Sequence, residues 1–267
     1  MKIFSLRFCF LIVLLLSALA SLAQIINIDV TDTSDYIRKA RWNGNFAAGL
    51  EVDKQKTTLF DASNFFDASL QKYHELVILS ASNRFTYNGP QDFLNQGFVH
   101  LRERHYYKNP LHAETYVQYQ WDAKIGMLSR FIAGANARYT MWHKHNWEIT
   151  FATGLITEHE HWNYVAVDSS KIPPGAKQVN SDKFKSNSYI KWEGKISAEA
   201  VISVVVFYQA AFNSFFTPRI ASRVKFDIDI SKHFTFNISF SGLYDAKPVV
   251  PIFKFYYSLS NAIVYKF

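Results

Sequence analysis

Pro251 to Phe267 reads PIFKFYYSLSNAIVYKF, and this stretch decides the fold. Every second residue is apolar or aromatic except for one asparagine: Phe253, Phe255, Tyr257, Leu259, Asn261, Ile263, Tyr265 and Phe267. The residues between them are mostly polar or small. This alternation predicts a β-strand, because successive side chains of a strand point to opposite faces. It runs longer than the roughly 3–10 residues of an ordinary globular strand, which is typical of a tilted strand that crosses a bilayer.

The chain ends on an aromatic residue that continues the apolar face of this stretch. Ile263, Tyr265 and Phe267 occupy alternate positions up to the terminus. This ending resembles the C-terminal signature of bacterial outer-membrane barrels, which the barrel assembly machinery reads. The resemblance implies that this machinery is a partner during biogenesis.

The N-terminus carries the pattern of a secretory signal peptide. Lys2 and Arg7 lead into an apolar run, and residues 17–23 end in Ser-Leu-Ala, a small-x-small cleavage site before Gln24. The run is too short to span a membrane as a helix, although an N-terminal anchor is the alternative. We therefore predict a cleaved Sec-type signal peptide over residues 1–23 and a polar periplasmic tail over 24–40. Cys9 lies in the signal, so the mature chain has no disulfide or thiol chemistry.

Composition narrows the class of protein further. Hydrophobic residues make up 49% of the chain and aromatic residues 17%, yet the mean hydropathy is −0.08. Lipid-facing and lumen-facing residues that alternate along strands average to such a value. The formal charge of +7 is modest and dispersed, and it falls by two when the signal peptide leaves. It predicts no nucleic-acid partner.

Alternating segments follow one another from Arg41 to the C-terminus. Twelve are predicted, at 42–52, 58–70, 73–87, 93–104, 111–122, 128–141, 146–157, 183–193, 195–208, 218–230, 233–244 and 251–267. An even number suits a closed barrel, which leaves no unpaired strand edge in lipid. We predict an all-β fold, a transmembrane antiparallel up-and-down β-barrel over residues 41–267. A large soluble β-sandwich is the alternative, but it has shorter strands and Greek-key links.

The links between the segments predict which end faces the periplasm. Four of the five links predicted to be periplasmic are very short, as such turns are, and the remaining links include one long external loop at about residues 158–182. Trp42, Trp142 and Trp147 fall beside the predicted periplasmic ends. Indole rings favour the bilayer interface, so these three are predicted interface aromatics.

Three central stretches resemble a known family. They are NQGFVHLRER at 95–104, NPLHAETYVQYQW at 109–121 and LSRFIAGANARY at 128–139. Together they resemble the domain of unknown function 481 family, whose members are described as salt-induced outer membrane proteins. The resemblance covers segments four to six. It implies a small barrel in the outer membrane of a Gram-negative bacterium, and it supplies no catalytic residues.

Charged side chains of both signs collect on the predicted inner faces. These residues are His100, Arg102, Arg104, His112, Glu114, Arg130, Arg138, Glu148, Arg223 and Lys225. An isolated charge inside a narrow barrel is costly, so we expect them to be paired and hydrogen-bonded. The main interpretation is a structural network that partly plugs the lumen. A selectivity filter for a small solute is the alternative, and catalysis is a third.

Other candidate chemistry in the sequence is weak. His159 and His161 are two residues apart and could hold a metal if a third ligand came from elsewhere, but solvated loop histidines are the simpler interpretation. No Gly-x-Ser-x-Gly motif and no Ser-His set indicates a lipid hydrolase or acyltransferase. We predict no cofactor and a non-enzymatic barrel of structural or envelope-stress function. A narrow channel for a small solute and a lipid-modifying enzyme are the alternatives; membrane lipid and lipopolysaccharide are the expected surroundings.

Overall fold

Twelve antiparallel strands form a closed barrel in the computed structural model, which describes residues 40–54, 58–88 and 93–267. The predicted fold class is therefore confirmed. The strands are β1 Arg41–Lys54, β2 Thr58–Lys72, β3 Glu75–Asn88, β4 Phe93–His105, β5 Leu111–Asp122, β6 Met127–Lys144, β7 Trp147–Asn163, β8 Gln178–Lys195, β9 Ala200–Ala211, β10 Arg219–Asp229, β11 Phe234–Asp245 and β12 Phe255–Lys266. The predicted signal peptide and nearly all of the predicted tail lie outside the described residues.

Each strand pairs with its neighbours in sequence, and β12 pairs with β1 to close the barrel. The alternation read from the sequence separates the two faces of the wall. In β5, His112, Glu114 and Tyr116 are buried inside, while Leu111 and Val117 point outward with 62% and 41% of their surfaces exposed. An apolar outer face over a polar interior is the arrangement that a membrane barrel requires.

The two ends of the barrel differ in their connections. One end, the turn rim, carries the links 73–74, 106–110, 145–146, 196–199 and 230–233. The other end, the loop rim, carries the described links 123–126, 164–177, 212–218 and 246–254. The turn rim contains the links predicted to be periplasmic. Among the described residues, no helix is long and apolar enough to cross a membrane.

The predicted bounds of the long loop, residues 158 and 182, are both wrong. β7 continues to Asn163 and β8 begins at Gln178, so the loop spans residues 164–177. The ladder between the two strands extends through His159↔Asp182 and His161↔Asn180. These outward-facing residues are polar, because a strand that rises above the bilayer no longer needs an apolar outer face. The pairing therefore persists where the lipid-facing pattern stops.

The seam between β1 and β12 is short. Its ladder consists of Asn45↔Lys266 and Phe46↔Tyr265, while other neighbouring strands pair along most of their length. Gly44 and Phe267 exchange two backbone hydrogen bonds, at 3.1 and 3.0 Å. The Phe267 ring lies over Gly44, where an added Cβ would be 2.0 Å from the ring. The C-terminal residue thus closes the barrel at the turn rim.

An apolar cluster covers part of the loop rim, and we call it the apolar cap. Met127 and Trp162 from the wall meet Val167 from the 164–177 loop and Val250 from the 246–254 loop. Val250 has no exposed surface, and Val249 and Ile252 pack beside it. Both loops therefore fold inward over the lumen, because burying these valines removes apolar surface from water.

Candidate functional site in the barrel lumen

A first group of charges surrounds Glu114 on the inner face of β5, and we call it the Glu114 cluster. Arg102 Nη1 donates to Glu114 Oε2 at 3.1 Å, and Arg104 Nε donates to the same oxygen at 3.3 Å. The other oxygen, Oε1, accepts from Asn136 Nδ2 and from Tyr189 Oη, each at 3.0 Å. A carboxylate with 1% of its surface exposed needs this many donors, since burying it without them is costly.

Two histidines and a further arginine flank this cluster. His100 contacts Gln118 at 3.1 Å and accepts from Arg102 Nε at 3.3 Å. Towards the turn rim, Arg138 lies 3.1 Å from His112 Nε2 and 3.5 Å from Glu148 Oε1. The predicted inner-face residues therefore form one group around Glu114 and another around Arg138, nearer the turn rim.

A second group of charges lies nearer the loop rim around Glu158, and we call it the Glu158 cluster. Arg130 Nε donates to Glu158 Oε2 at 2.7 Å, and Arg219 Nη1 donates to the same oxygen at 3.0 Å. Lys185 Nζ pairs with Glu158 Oε1. Arg219 also contacts Glu160 and Asp245, each at 2.8 Å. Three cations thus face three carboxylates, which offsets the cost of burying each charge.

Some contacts in these clusters join strands that are not neighbours in the wall. Asn187 on β8 donates to Tyr116 on β5 at 2.8 Å, and Tyr189 on β8 reaches Glu114. Arg219 on β10 reaches Glu158 and Glu160 on β7. We call these contacts the cross-lumen bonds. They bridge the interior, so the two clusters fill the lumen as well as lining it.

Three cavities lie along the barrel beside these clusters. The central cavity, of about 90 Å³, lies between the two clusters and is lined by residues that include Arg102, Arg130 and Arg219. A turn-side pocket of about 400 Å³ reaches Arg138 and Glu148. A loop-side pocket of about 300 Å³ reaches Lys185, Arg219 and Asp245. Each outer cavity is therefore separated from the central one by charged side chains.

The remaining predicted lumen charges lie on β10. Arg223 Nε contacts Ser241 Oγ at 3.2 Å, and Lys225 Nζ pairs with Asp227 at 2.9 Å. Both side chains are half-buried against the wall formed by β10 and β11. Arg219, six residues before Lys225 on the same inner face, is the β10 residue that enters the Glu158 cluster.

The two candidate metal-binding histidines lie on the outer face of β7. His159 Nδ1 contacts Asp182 at 2.5 Å, and His161 Nε2 contacts Gln178 at 3.1 Å. Both contacts are exposed and connect β7 to β8. In the part of the chain that the structure describes, no group of three His, Cys, Asp or Glu residues gathers in a metal-binding arrangement.

The predicted interface aromatics all lie near the turn rim. Trp42 and Trp142 are exposed, at 68% and 43%, while Trp147 stacks on Trp192 with the ring centres 4.9 Å apart. Ile263, Tyr265 and Phe267 point outward from β12 and the terminus, with 51%, 42% and 61% of their surfaces exposed. These side chains thus form part of the outer surface beside the turn rim.

Sequence reasoning missed Glu158, Glu160, Lys185 and Asp245. Glu158 and Glu160 fell in the predicted loop, although with Trp162 they continue the two-residue period of β7. Their burial, at 2% and 0% exposure, shows that this period continues into the lumen. Alternation on the inner face, counted without requiring an apolar outer face, would have predicted that Glu158 and Glu160 point into the lumen.

The fold and the charged interior define the class of protein: a closed barrel of the bacterial outer-membrane type. A solved outer membrane channel from Pseudomonas putida F1 is similar at a TM-score of 0.50 and 8% identity, covering 90% of this chain and 100% of that chain. The beta domain of the Bordetella autotransporter BrkA has a TM-score of 0.40 and 8% identity, covering 85% of this chain and 97% of that chain. At these identities the likeness concerns the fold alone.

Comparison of sequences identifies no particular family. No family model matches the chain, and no curated protein matches it. The resemblance to the domain of unknown function 481 family therefore stays a prediction.

Proposed function

We propose that this chain is a non-enzymatic outer-membrane barrel whose lumen is closed by its own charged side chains. The observation that carries the proposal is the pair of buried ion-pair clusters around Glu114 and Glu158. In this role the barrel serves the envelope as a structural or stress-related component. It is exported by a Sec-type signal, is inserted by the barrel assembly machinery, and lies among lipid and lipopolysaccharide.

The energetics of the clusters support a closed lumen. The side chains of Glu114 and Glu158 have no exposed surface, and those of Arg102 and Arg219 have 7% and 9%. Removing one partner of such a buried pair typically costs about 3–5 kcal/mol, because the other charge stays buried. A hydrated ion that passed through would have to separate several pairs at once. The clusters therefore act as a barrier in this conformation.

A narrow channel for a small solute is the second candidate function. The observation that favours it is the series of three cavities from rim to rim. Gln209, Arg219 and Asp245 line both the central cavity and the loop-side pocket, so these three side chains form the partition between the two cavities. On the other side, the Glu114 cluster separates the central cavity, which Arg102 lines, from the turn-side pocket, which Arg138 lines.

Single-channel conductance of the refolded mature chain in planar bilayers tests the proposal. Three variants are compared with the wild type: Arg102→Ser with Glu114→Ser, Glu160→Ser with Arg219→Ser, and all four changes together. Each pair of changes removes one cation and one carboxylate, so the net charge is preserved. If the barrel is closed, the wild type and both double variants should show no conductance steps, whereas the fourfold variant should show them.

Lys225→Ser with Asp227→Ser is the matched control, because it removes an ion pair outside the two clusters. It should be as silent as the wild type. Conductance steps in the wild type would overturn the closed barrel in favour of the channel. A silent fourfold variant that still migrates as a folded barrel on a gel would show that the clusters are not the barrier.

A further inference from the structure

The loop-side pocket brings together more cations than carboxylates. Four cations line it, from β8, from β10 and from the 246–254 link: Lys183, Lys185, Arg219 and Lys247. The carboxylates in the lining are Asp182 and Asp245. Asp182 contacts His159 on the outer face of the wall, so its charge is directed away from the lumen. The pocket therefore has a surplus of positive charge.

The Glu158 cluster is neutral as a whole, but it turns its cations towards this pocket. Lys185 and Arg219 line the pocket, whereas Glu158 and Glu160 do not, and the side chains of these two glutamates have no exposed surface. An anion in the pocket is thus nearer to the two cations than to the glutamates that balance them. Asp245 also lines the pocket, but Arg219 Nε and Nη2 both donate to its Oδ2 at 2.8 Å.

Two of the four cations form no ion pair within the part of the chain that the structure describes. Lys183 is opposite Glu158 in the ladder between β7 and β8, but three other cations already bond to that carboxylate. Lys247 donates its backbone N–H to Asp245 at 3.0 Å, and its ammonium group extends beyond this contact. Lys183 is half-buried and Lys247 is exposed, so a ligand can reach both ammonium groups.

The link at residues 212–218 adds a neutral donor to the same pocket. Asn213 lines the pocket and is exposed. Its side-chain oxygen accepts from Ser214 Oγ at 3.3 Å, which leaves the amide N–H groups as donors. Donors therefore reach the pocket from three sides: β8, the 212–218 link and the 246–254 link.

The kind of donor favours a phosphate group over a carboxylate. Carboxylates are recognised best by the paired N–H groups of a guanidinium, and the Arg219 guanidinium is already bonded to Asp245, Glu158 and Glu160. The ammonium groups that remain bind phosphate as point charges. A phosphate monoester carries a charge of about −1.5 to −2 at neutral pH and three strong acceptor oxygens. It can therefore accept from all three sides at once.

The size of the pocket admits more than a bare phosphate ion. Its volume of about 300 Å³ is at the lower end of the roughly 300–1,000 Å³ of small-molecule sites. Asn213, Thr217 and Lys247 at its mouth are exposed, so the pocket is accessible from the loop rim. A phosphate that carries a small polar group, such as a sugar, fits this description.

We propose that the loop-side pocket is a binding site for phosphate monoesters, with Lys183 and Lys247 holding the phosphate group. Soluble sugar phosphates and some lipid headgroups both carry this group. The inference goes beyond the closed barrel, since binding in an outer pocket requires no ion flow. Its failure is also distinguishable from failure of the closed barrel, because one is measured by binding and the other by conductance.

Phosphorus NMR titration of the refolded mature chain in phosphatidylcholine nanodiscs tests the site. The probe is glucose 6-phosphate, and a salt concentration of about 0.1 M screens charges more than about 10 Å away. Glucose and gluconate are the competitors, the first without a charge and the second with a carboxylate. We expect saturable binding of the probe, no competition from glucose, and competition from gluconate that is about tenfold weaker than from unlabelled probe, as loss of one charge-assisted hydrogen bond predicts.

Lys183→Gln with Lys247→Gln is the decisive variant, because it removes both free ammonium groups and keeps polar side chains of similar length. It should weaken glucose 6-phosphate by at least about tenfold. Lys171→Gln with Lys177→Gln is the matched control. These two exposed lysines lie on the 164–177 link, outside the pocket lining, and their loss lowers the net charge equally. The control should bind the probe as the wild type does.

A second set of nanodiscs distinguishes the two sources of the phosphate group. One contains phosphatidic acid, whose headgroup is a phosphate monoester, and the other contains phosphatidylglycerol, whose phosphate is a diester. If lipid headgroups enter the pocket, phosphatidic acid should block glucose 6-phosphate more strongly than phosphatidylglycerol does. Equal affinity for the probe in both discs would assign the site to soluble phosphates.

Four results would overturn the site. They are no saturable binding of glucose 6-phosphate, competition by gluconate as strong as by the phosphate, full affinity in the Lys183→Gln with Lys247→Gln variant, or an equal loss in the matched control. The last result would show that the general charge of the loop rim, and no built pocket, attracts the probe.

Discussion

Gly154 is the residue that lets β6 and β7 approach closely at the Glu114 cluster. It lies on the inner face of β7 between Ala152 and Ile156. A Cβ at this position would be 2.0 Å from the backbone oxygen of Ala135 and 2.5 Å from Asn136 Oδ1. Because the nearest obstacle is backbone, no side-chain rotation can make room. Glycine therefore keeps Asn136 within hydrogen-bonding distance of Glu114.

Replacing Gly154 with alanine should destabilise the barrel by about 1–3 kcal/mol, the usual cost of overpacking an interior. Equilibrium urea unfolding from lipid vesicles measures the change. Gly242→Ala is the matched control, because the nearest atom to its added Cβ is the rotatable Ser222 hydroxyl at 3.1 Å. The explanation fails if both variants unfold at the same urea concentration.

The sequence predicts which residues point inward but not which residues they meet. The two-residue period placed Arg102, Glu114 and Arg138 on the inner face. It could not predict that Tyr189, 75 residues after Glu114, donates to the same carboxylate. Such a contact depends on barrel curvature and strand stagger, which no local pattern contains.

At the scale of whole strands, the seam is the weakest part of the wall. Above Phe46↔Tyr265, no further pair is formed between the described parts of β1 and β12. Glu51 and Ser260, on the inner faces of these strands, are both exposed. The upper edges of β1 and β12 therefore diverge towards the loop rim.

Engineered cysteine pairs should reveal where the seam is closed. Asn45→Cys with Lys266→Cys should cross-link under mild oxidation, because paired residues place their Cα atoms about 4.5–5.5 Å apart, within the range for a disulfide. Glu51→Cys with Ser260→Cys is the control, since these positions would be partners only if the ladder continued. Efficient cross-linking of both pairs would show a fully closed seam.

Strand positions were predictable because membrane strands alternate strictly between lipid and lumen. The upper parts of β7 and β8 were missed for the same reason. His159 and His161 break the apolar outer face, so the pattern indicates a loop although the strand continues. Strand ends outside the bilayer are set by ladder pairing, which the sequence of one strand does not contain.

At the scale of the molecule, the barrel has two distinguishable ends. Lys177 lies in the long link of the loop rim, and Lys232 lies in a turn of the opposite rim. Both side chains are exposed. The number of strands and the alternation of short and long links were predictable from the sequence. The apolar cap was not, because a loop has no periodic pattern to show which valines turn inward.

Cysteine labelling on cells should give the orientation of the barrel. We expect Lys177→Cys to react with a membrane-impermeant maleimide on intact cells, because longer loops of such barrels face outward. Lys232→Cys should react only after the outer membrane is opened. Labelling in the reverse pattern would place the turn rim outside and contradict the model of the barrel in its membrane.

The cross-lumen bonds have a mechanical consequence. A hollow barrel resists lateral pressure from the bilayer only through its wall. Here the cross-lumen bonds from β5 to β8 and from β7 to β10 also resist that pressure across the interior. Squeezing the barrel along these directions compresses polar groups already in contact, and stretching it pulls apart the hydrogen bonds between β5 and β8 and the ion pairs between β7 and β10. At these levels the cross-lumen bonds therefore stiffen the barrel, and its cross-section should vary little when membrane thickness or tension changes.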